Sequence, residues 1–326
     1  MPNFAASGKR IAGAGHLALL VLALYGAQSV VADDVVRTGN PAERGLTEDD
    51  FPRIQQLADK VYTYEALTGP PQDRYTTNSM IVVTGDGVLV ADGQGNPAET
   101  ANLVSAIGRI TDQPITHVVI CSDHGDHTSG NSSFPQSAEF IAHPASKKNL
   151  ERIANDPERD ADAPAVIMPT SLVEDIRSLT LDNISIQILF LGRAHTGGDL
   201  FVWLPGEKIL FASEVFLNHM FSGYRSAFPT EWLEAMAKAE TLGAEILIPG
   251  HGFIDAPGIL EQEWHAYKDH LTVVLEEVRR LHAAGRSVEE AVEQADFGQY
   301  ADWSGAASQG PIGVRRIYAE LNGELP

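Results

Sequence analysis

Four short stretches of this 326-residue chain gather side chains that bind metal. CSDHGDHTSGN, from Cys121 to Asn131, places His124, Asp126 and His127 within four residues. GRAHTGGD (192–199) adds His195, LFASEVF (210–216) adds Glu214, and IPGHG (248–252) adds His251. Imidazole nitrogen and carboxylate oxygen are ligands for zinc and its first-row neighbours. Each histidine has glycine or another small residue beside it, which favours loops able to turn a side chain inward over a helix face. In a tight loop, residues two and three apart can face different partners. His124 can therefore serve one ion while Asp126 and His127 serve another.

These stretches need strands to deliver them. The apolar HVVI before Cys121 reads as a buried strand, so the histidine pair lies at its C-terminal end. EILIPGH reads as a strand feeding the loop that carries His251. LTLDNISIQILFLG and LFVWLPGEKILFASEVF read as a run of strands, with turns at Asp182-Asn183 and Pro205-Gly206. Upstream, VYTYEAL (61–67) reads as the first strand. SMIVVTGDGVLVADG reads as two strands flanking a hairpin turn at Gly85-Asp86-Gly87. Leu103, Ile107 and Ile110 give a helical period, as do ASKKNLERIAND and TEWLEAMAKAETLG. A long amphipathic helix carries Trp264, Tyr267, Leu271, Leu275 and Val278 on one face, and two short helices fit 287–295 and 312–321. Two halves of similar βα build predict two packed sheets with helices on the outer faces.

Residues 1–32 read as a secretory signal peptide. Lys9 and Arg10 precede the apolar run LALLVLALYGA (17–27), and Val30 and Ala32 stand at −3 and −1 of a cleavage after Ala32. The run is short for a membrane span and an acidic flank follows it. The expected product is periplasmic or secreted and free of the membrane. It has a lead-in over 33–58 and one domain over 59–326 that includes the C-terminal helices. The net charge is −21, and residues 1–32 hold no acidic side chain, so the exported chain is more acidic still. Such a chain repels polyanions, which excludes nucleic acid as a partner. Cys121 is the only cysteine, so there is no internal disulfide. It follows an apolar run and reads as a buried strand-end residue, not a nucleophile.

The ordered set, strand–HxDH, then GxxHTxGD, then a carboxylate after a strand, then PGHG, resembles the metallo-β-lactamase-fold hydrolases. The resemblance covers about residues 61–252 and is compatible with the helices beyond. It implies the α/β class, as a four-layer αβ/βα sandwich with a metal site at one edge between the sheets. It also implies up to two zinc ions and hydrolysis by a metal-bound hydroxide. Carried over by position, a first ion takes Ser122, His124 and His195, and a second takes Asp126, His127 and His251. Glu214 stands where the family has a bridging Asp or, in zinc β-lactamases, a Cys.

Two departures from the family pattern matter. Ser122 replaces the first histidine of HxHxDH, and a neutral hydroxyl is a poor zinc ligand. Glu214 is one methylene longer than Asp. The expectation is one firmly bound Zn2+ at the second site and a weak or vacant first site, as in the mono-zinc β-lactamase subclass. Asp126 would hold a water and take its proton, and Glu214 would bridge or act as the base. Asp92, in LVADGQ, lies where the family has an Asp that orients a ligand histidine. His219 and Tyr224, with Arg225, are expected to line a substrate cleft.

His143 ends a strand and reads as structural, and Asp199 reads as fixing the HTGGD turn. His265 and His270 are five apart on the long helix and share no face. The expected function is a zinc-dependent hydrolase of an ester, lactone or lactam carbonyl in a small molecule. Glu214 in place of Cys favours the ester or lactone. Two alternatives stand beside it: an iron-dependent oxidoreductase on the same fold, and a non-catalytic metal- or ligand-binding protein.

Overall fold

The computed structural model describes residues 35–70 and 74–326. The expected signal peptide lies outside the described residues. No helix among the described residues is long and apolar enough to cross a membrane.

The first half contains β1 (Arg53–Ala58), β2 (Val61–Thr68), β3 (Tyr75–Thr84), β4 (Gly87–Ala91), α1 (Pro97–Ile110) and β5 (Ile115–Val119). One short turn, α2 (Gly125–Thr128), leads to β6 (Glu139–Ala142), α3 (Pro144–Ala154) and β7 (Ser171–Leu172). The second half contains β8 (Ile176–Leu181), β9 (Ile184–Leu189), β10 (Phe201–Leu204), β11 (Ile209–Leu217), α4 (Pro229–Glu240) and β12 (Ile246–His251). Helices α5 (Pro257–Ala283), α6 (Val288–Gln294) and α7 (Ala306–Leu321) follow.

The strands pair in the order β7-β6-β5-β4-β3-β12-β11-β10-β9-β8, with β2 on β3 and β1 on β2. The β3–β12 join is a single antiparallel pair, Thr77 opposite His251. The two halves of the sheet therefore meet at a candidate ligand.

Period-2 alternation builds the layers. Met80, Val82, Leu89, Ala91 and Val119 face one core, shared with β9–β12, α4, α5 and α7. Their neighbours Ile81, Val88, Val90 and Val118 face a second core against α1 and α3. Both faces of these strands are buried, which explains their near-continuous apolar runs. The result is an αβ/βα sandwich.

The Gly85-Asp86 turn closes β3 on β4, with Thr84 opposite Gly87. Two expectations change. Arg53–Ala58, within the expected lead-in, is a strand, antiparallel to β2 with Arg53 opposite Glu65. Its sequence RIQQLA is half-solvated and polar, so no apolar run marked it. Helix α7 starts at Ala306, six residues before the expected 312, with Pro311 inside it and left-handed Gly305 before it.

Candidate metal centre

Each candidate ligand sits at a strand end or an irregularity. Beyond β5 the chain runs through Cys121 and Ser122 into α2, whose N-cap position is His124. Asp92, in left-handed backbone (φ 60°) just after β4, ties this crossing down, because its Oδ1 accepts the Cys121 N–H at 2.7 Å. His127 is fully buried one turn on. His195 lies between β9 and β10, where Asp199 accepts from both the N–H and the hydroxyl of Thr196 at 2.7 Å and closes the turn. Glu214 follows a register shift in β11, with Ser213 at φ 47°. Such a bulge re-aims a side chain relative to a regular strand. Gly250 makes room for it: a Cβ there would lie 2.5 Å from the Ser213 carbonyl carbon and 2.7 Å from the Glu214 nitrogen. His251 ends β12.

Two sets of donors result, and Glu214 belongs to both. In the first, His124 Nδ1 lies 2.9 Å from Glu214 Oε2 and His195 Nε2 lies 3.1 Å from Glu214 Oε1. The two ring nitrogens are 3.1 Å apart. In the second, His251 Nε2 lies 3.3 Å from Asp126 Oδ2, 3.2 Å from Glu214 Oε1 and 3.3 Å from His127 Nε2. Within each set the donor atoms lie within 4.8 Å of one another.

The outer nitrogens show whether these residues fit a metal ion. His251 Nδ1 is 2.8 Å from the Thr76 carbonyl oxygen. A carbonyl only accepts, so Nδ1 carries a proton there and Nε2 is the nitrogen that faces the centre. His127 Nδ1 lies 3.1 Å from Asp92 Oδ2, with the same consequence. His124 Nε2 lies 3.3 Å from Ser226 Oγ. The His195 ring is held edge-on by Trp232, at 5.1 Å. An acceptor behind His251 and another beside His127, fixing tautomer and orientation, is the arrangement that metal-ligating histidines use. The residues fit a divalent cation.

The electrostatics agree. Burial acts to lower the pKa of His251, but hydrogen bonds and charge from Asp126 and Glu214 outweigh it and raise it to about 10. Burial also acts to lower His124, and Glu214, Asp123 and Asp126 raise it to about 9. Burial would raise the Glu214 carboxyl, yet His195, His124 and His127 hold it well below the carboxylate range. The centre therefore carries a field that favours positive charge.

Ser122 is fully buried; its hydroxyl donates to Glu214 Oε2 and accepts the His124 N–H at 3.3 Å. A cavity of about 470 Å³ opens on the centre, lined by His124, Asp126, His195, Glu214 and His251 and by Arg152, Arg225 and Ser226. The expected cleft residues His219 and Tyr224 do not line it. His219 Nδ1 turns to Glu263, at 3.0 Å, and its ring packs on Trp303. Tyr224 is buried against Trp232 and α7, where a Cβ at Gly313 would meet its ring at 2.9 Å. Cys121 is buried, which pushes its thiol up and suits no nucleophile.

The sequence reading missed Tyr75, whose hydroxyl donates to Asp126 Oδ2 at 3.2 Å and whose ring meets His251 edge-on at 5.0 Å. It missed Ser213, whose hydroxyl donates to Asp92 Oδ2, as well as Ser226 and the Thr76 carbonyl. The run YTTNSM, polar at the start of an apolar strand, was the available signal for Tyr75. A backbone carbonyl has none.

Known proteins share this architecture. Residues 73–251, more than half of the chain, match the family profile of the metallo-beta-lactamase superfamily. A metallo-beta-lactamase type 2 of Bacteroides fragilis is 26% identical over 227 residues, covering 68% of this chain and 87% of its own. Metallo-beta-lactamase IND-1 of Chryseobacterium indologenes is 24% identical over 207 residues, covering 62% and 82%. Among solved structures, a metallo-beta-lactamase from Pontibacter korlensis superposes with a TM-score of 0.57 at 17% identity, over 65% of this chain and 97% of its own, a likeness of fold. The relatives suggest a metal-dependent hydrolase acting on small molecules, and the chain belongs to the metallo-beta-lactamase superfamily.

Proposed function

We propose that this protein is a zinc-dependent hydrolase that cleaves an ester, lactone or lactam carbonyl of a small molecule. The observation that carries the reading is the pair of donor sets, joined through Glu214, at the wall of an open cavity of about 470 Å³. Zinc suits imidazole and carboxylate donors. The Asp126–His127–His251 set is its firmer place, since it keeps three ligand-type side chains without Glu214. The first set depends on Glu214. When bound, the ion would acidify a water and polarise the substrate carbonyl.

The chain's own residues supply the rest. Asp126 lines the cavity and is the carboxylate placed to orient a water, take its proton and return it to the leaving group. Tyr75 fixes one Asp126 oxygen. The water oxygen bonds to the carbonyl carbon, and the bond from that carbon to the leaving oxygen or nitrogen breaks. Asp92 and the Thr76 carbonyl hold His127 and His251 in place. The names of the relatives keep a lactam in range, whereas Glu214 and the buried position of Cys121, the only cysteine, favour an ester or lactone. Cleavage after Ala32 and export of one domain that takes in β1 (Arg53–Ala58) belong to the same reading.

The test is elemental analysis of the purified protein, then hydrolysis of a nitrophenyl ester, a lactone and a chromogenic β-lactam. The expected result is zinc, and an activity lost on chelation and restored by Zn2+. Asp126→Asn should lower it by about 10²-fold or more, the scale of general acid–base catalysis. A coloured, iron-bearing protein without hydrolysis would favour the oxidoreductase instead. Zinc-replete protein inert toward all three classes would leave a binding role.

A further inference from the structure

We infer that Ser122 and Glu214 form an exchanged pair, in which Glu214 supplies the ligand that Ser122 cannot and Ser122 aims it, so that the first set holds a second divalent ion. This deepens the metal-centre reading above and rests on it.

The hydroxyl of Ser122 has no directional freedom. Its oxygen takes the His124 N–H at 3.3 Å, and its own hydrogen goes to Glu214 Oε2. A small side chain at 122 leaves space, and the Glu214 carboxylate occupies it. The carboxylate spans the centre. Oε2 meets Ser122 and His124, while Oε1 meets His195 at 3.1 Å and His251 at 3.2 Å. An aspartate at 214 would draw those oxygens back by one carbon–carbon bond, about 1.5 Å, and out of reach of position 122.

The backbone behind Glu214 is fixed from two sides. Ser213 sits in left-handed backbone, and its hydroxyl donates to Asp92. The Val215 carbonyl accepts the Trp232 indole N–H at 3.0 Å. With Glu214 counted, the first set has two imidazoles and a carboxylate, as many protein donors as a catalytic metal site requires. Ser122 is then a positioning residue and not a ligand.

The experiment counts ions on chelator-stripped full-length protein, titrated with Zn2+ against a chromophoric chelator, with circular dichroism as the check on folding. Wild type should bind two ions per chain. Glu214→Gln and Glu214→Asp should each bind one. Ser122→Ala should keep two but hold the weaker one about tenfold less tightly, the low end of the effect of removing an orienting partner. The double variant Ser122→His with Glu214→Asp should recover two ions, because an imidazole at 122 restores the donor that the shorter acid gives up.

One ion in wild type, unchanged in Glu214→Gln, overturns the inference and leaves the hydrolase reading standing on the second set. Wild-type affinity in Ser122→Ala overturns the part given to Ser122. A double variant no better than Glu214→Asp overturns the exchange. No ion bound at all overturns both readings.

Discussion

Asp92 Oδ2 lies 3.1 Å from His127 Nδ1, with both side chains fully buried, and the other oxygen of Asp92 holds the Cys121 amide at 2.7 Å. One carboxylate thus sets both the ring of a candidate ligand and the loop that carries it. Asp92→Asn keeps the shape but removes the charge facing the ring. It should weaken Zn2+ binding by about 10–100-fold, as loss of a ligand's orienting partner does. Competition with a chromophoric chelator measures this. Unchanged affinity would show that the contact serves only the loop.

Gly250 and Ser213 set a second constraint. The predicted Cβ contacts at 250 are with backbone atoms of β11, which cannot swing aside as a side chain can. Gly250→Ala should therefore push β12 from β11 just where Glu214 and His251 face each other. Overpacking of this kind costs about 1–3 kcal/mol, and each kcal/mol lowers Tm by roughly 2–4 °C in a domain of 150–250 residues. Thermal unfolding of the stripped protein reads the packing effect. Zinc titration of the same variant reads the loss of alignment, which should exceed that of Gly206→Ala in the open turn before β11.

The sequence made the metal centre legible because its ligands are chemical exceptions. His124, Asp126, His127, His195, Glu214 and His251 are polar groups set among apolar strands and small residues, and the structure brings all six together. Strands β3–β5 were legible because both their faces are buried and so read as apolar runs. Strand β1 was not, since an edge strand half in water has no reason to be apolar. His219 and Tyr224 were misplaced for a related reason: a loop after a ligand strand looks like a cleft wall, and only the fold shows Glu263 and α7 claiming them. The roles of Thr76 and Ser226 depend on distances across 175 and 102 residues, which no local pattern encodes.

Glu65 gives the fold a pH dependence separate from the metal centre. It lies on β2 beside Arg53, at 3.1 Å, and burial raises its carboxyl to about 7 against the partial offset from Arg53. Its pKa is thus higher folded than unfolded, so between about 4.5 and 7 the folded state binds the extra proton. This contribution to stability is intact below pH 4.5 and is lost as pH rises to about 7. Glu65→Gln removes the group. The Tm of the variant minus that of wild type should rise from pH 4.5 to 7 and then level off. A difference flat across that range would mean that Arg53 neutralises the buried carboxylate fully.

Arg152 and Arg225 are the two arginines lining the cavity among the described residues, in a chain of net charge −21. Arg152 is tied to Asn149, at 2.9 Å, and through it to Asp123. Arg225 is exposed beside Ser226 in the cavity wall. A substrate bearing a carboxylate would pair with this exposed cation in the wall of the cavity. Exposed charge pairs contribute up to about 1 kcal/mol, or about fivefold in affinity. Arg225→Ala should raise KM by about that factor for a carboxylate-bearing ester and leave kcat nearly unchanged. For the matching neutral ester both constants should stay put. The wild-type preference for the charged ester should also shrink as salt rises, since screening shortens the reach of an exposed charge. Equal effects on both esters would instead assign Arg225 a part in shaping the loop.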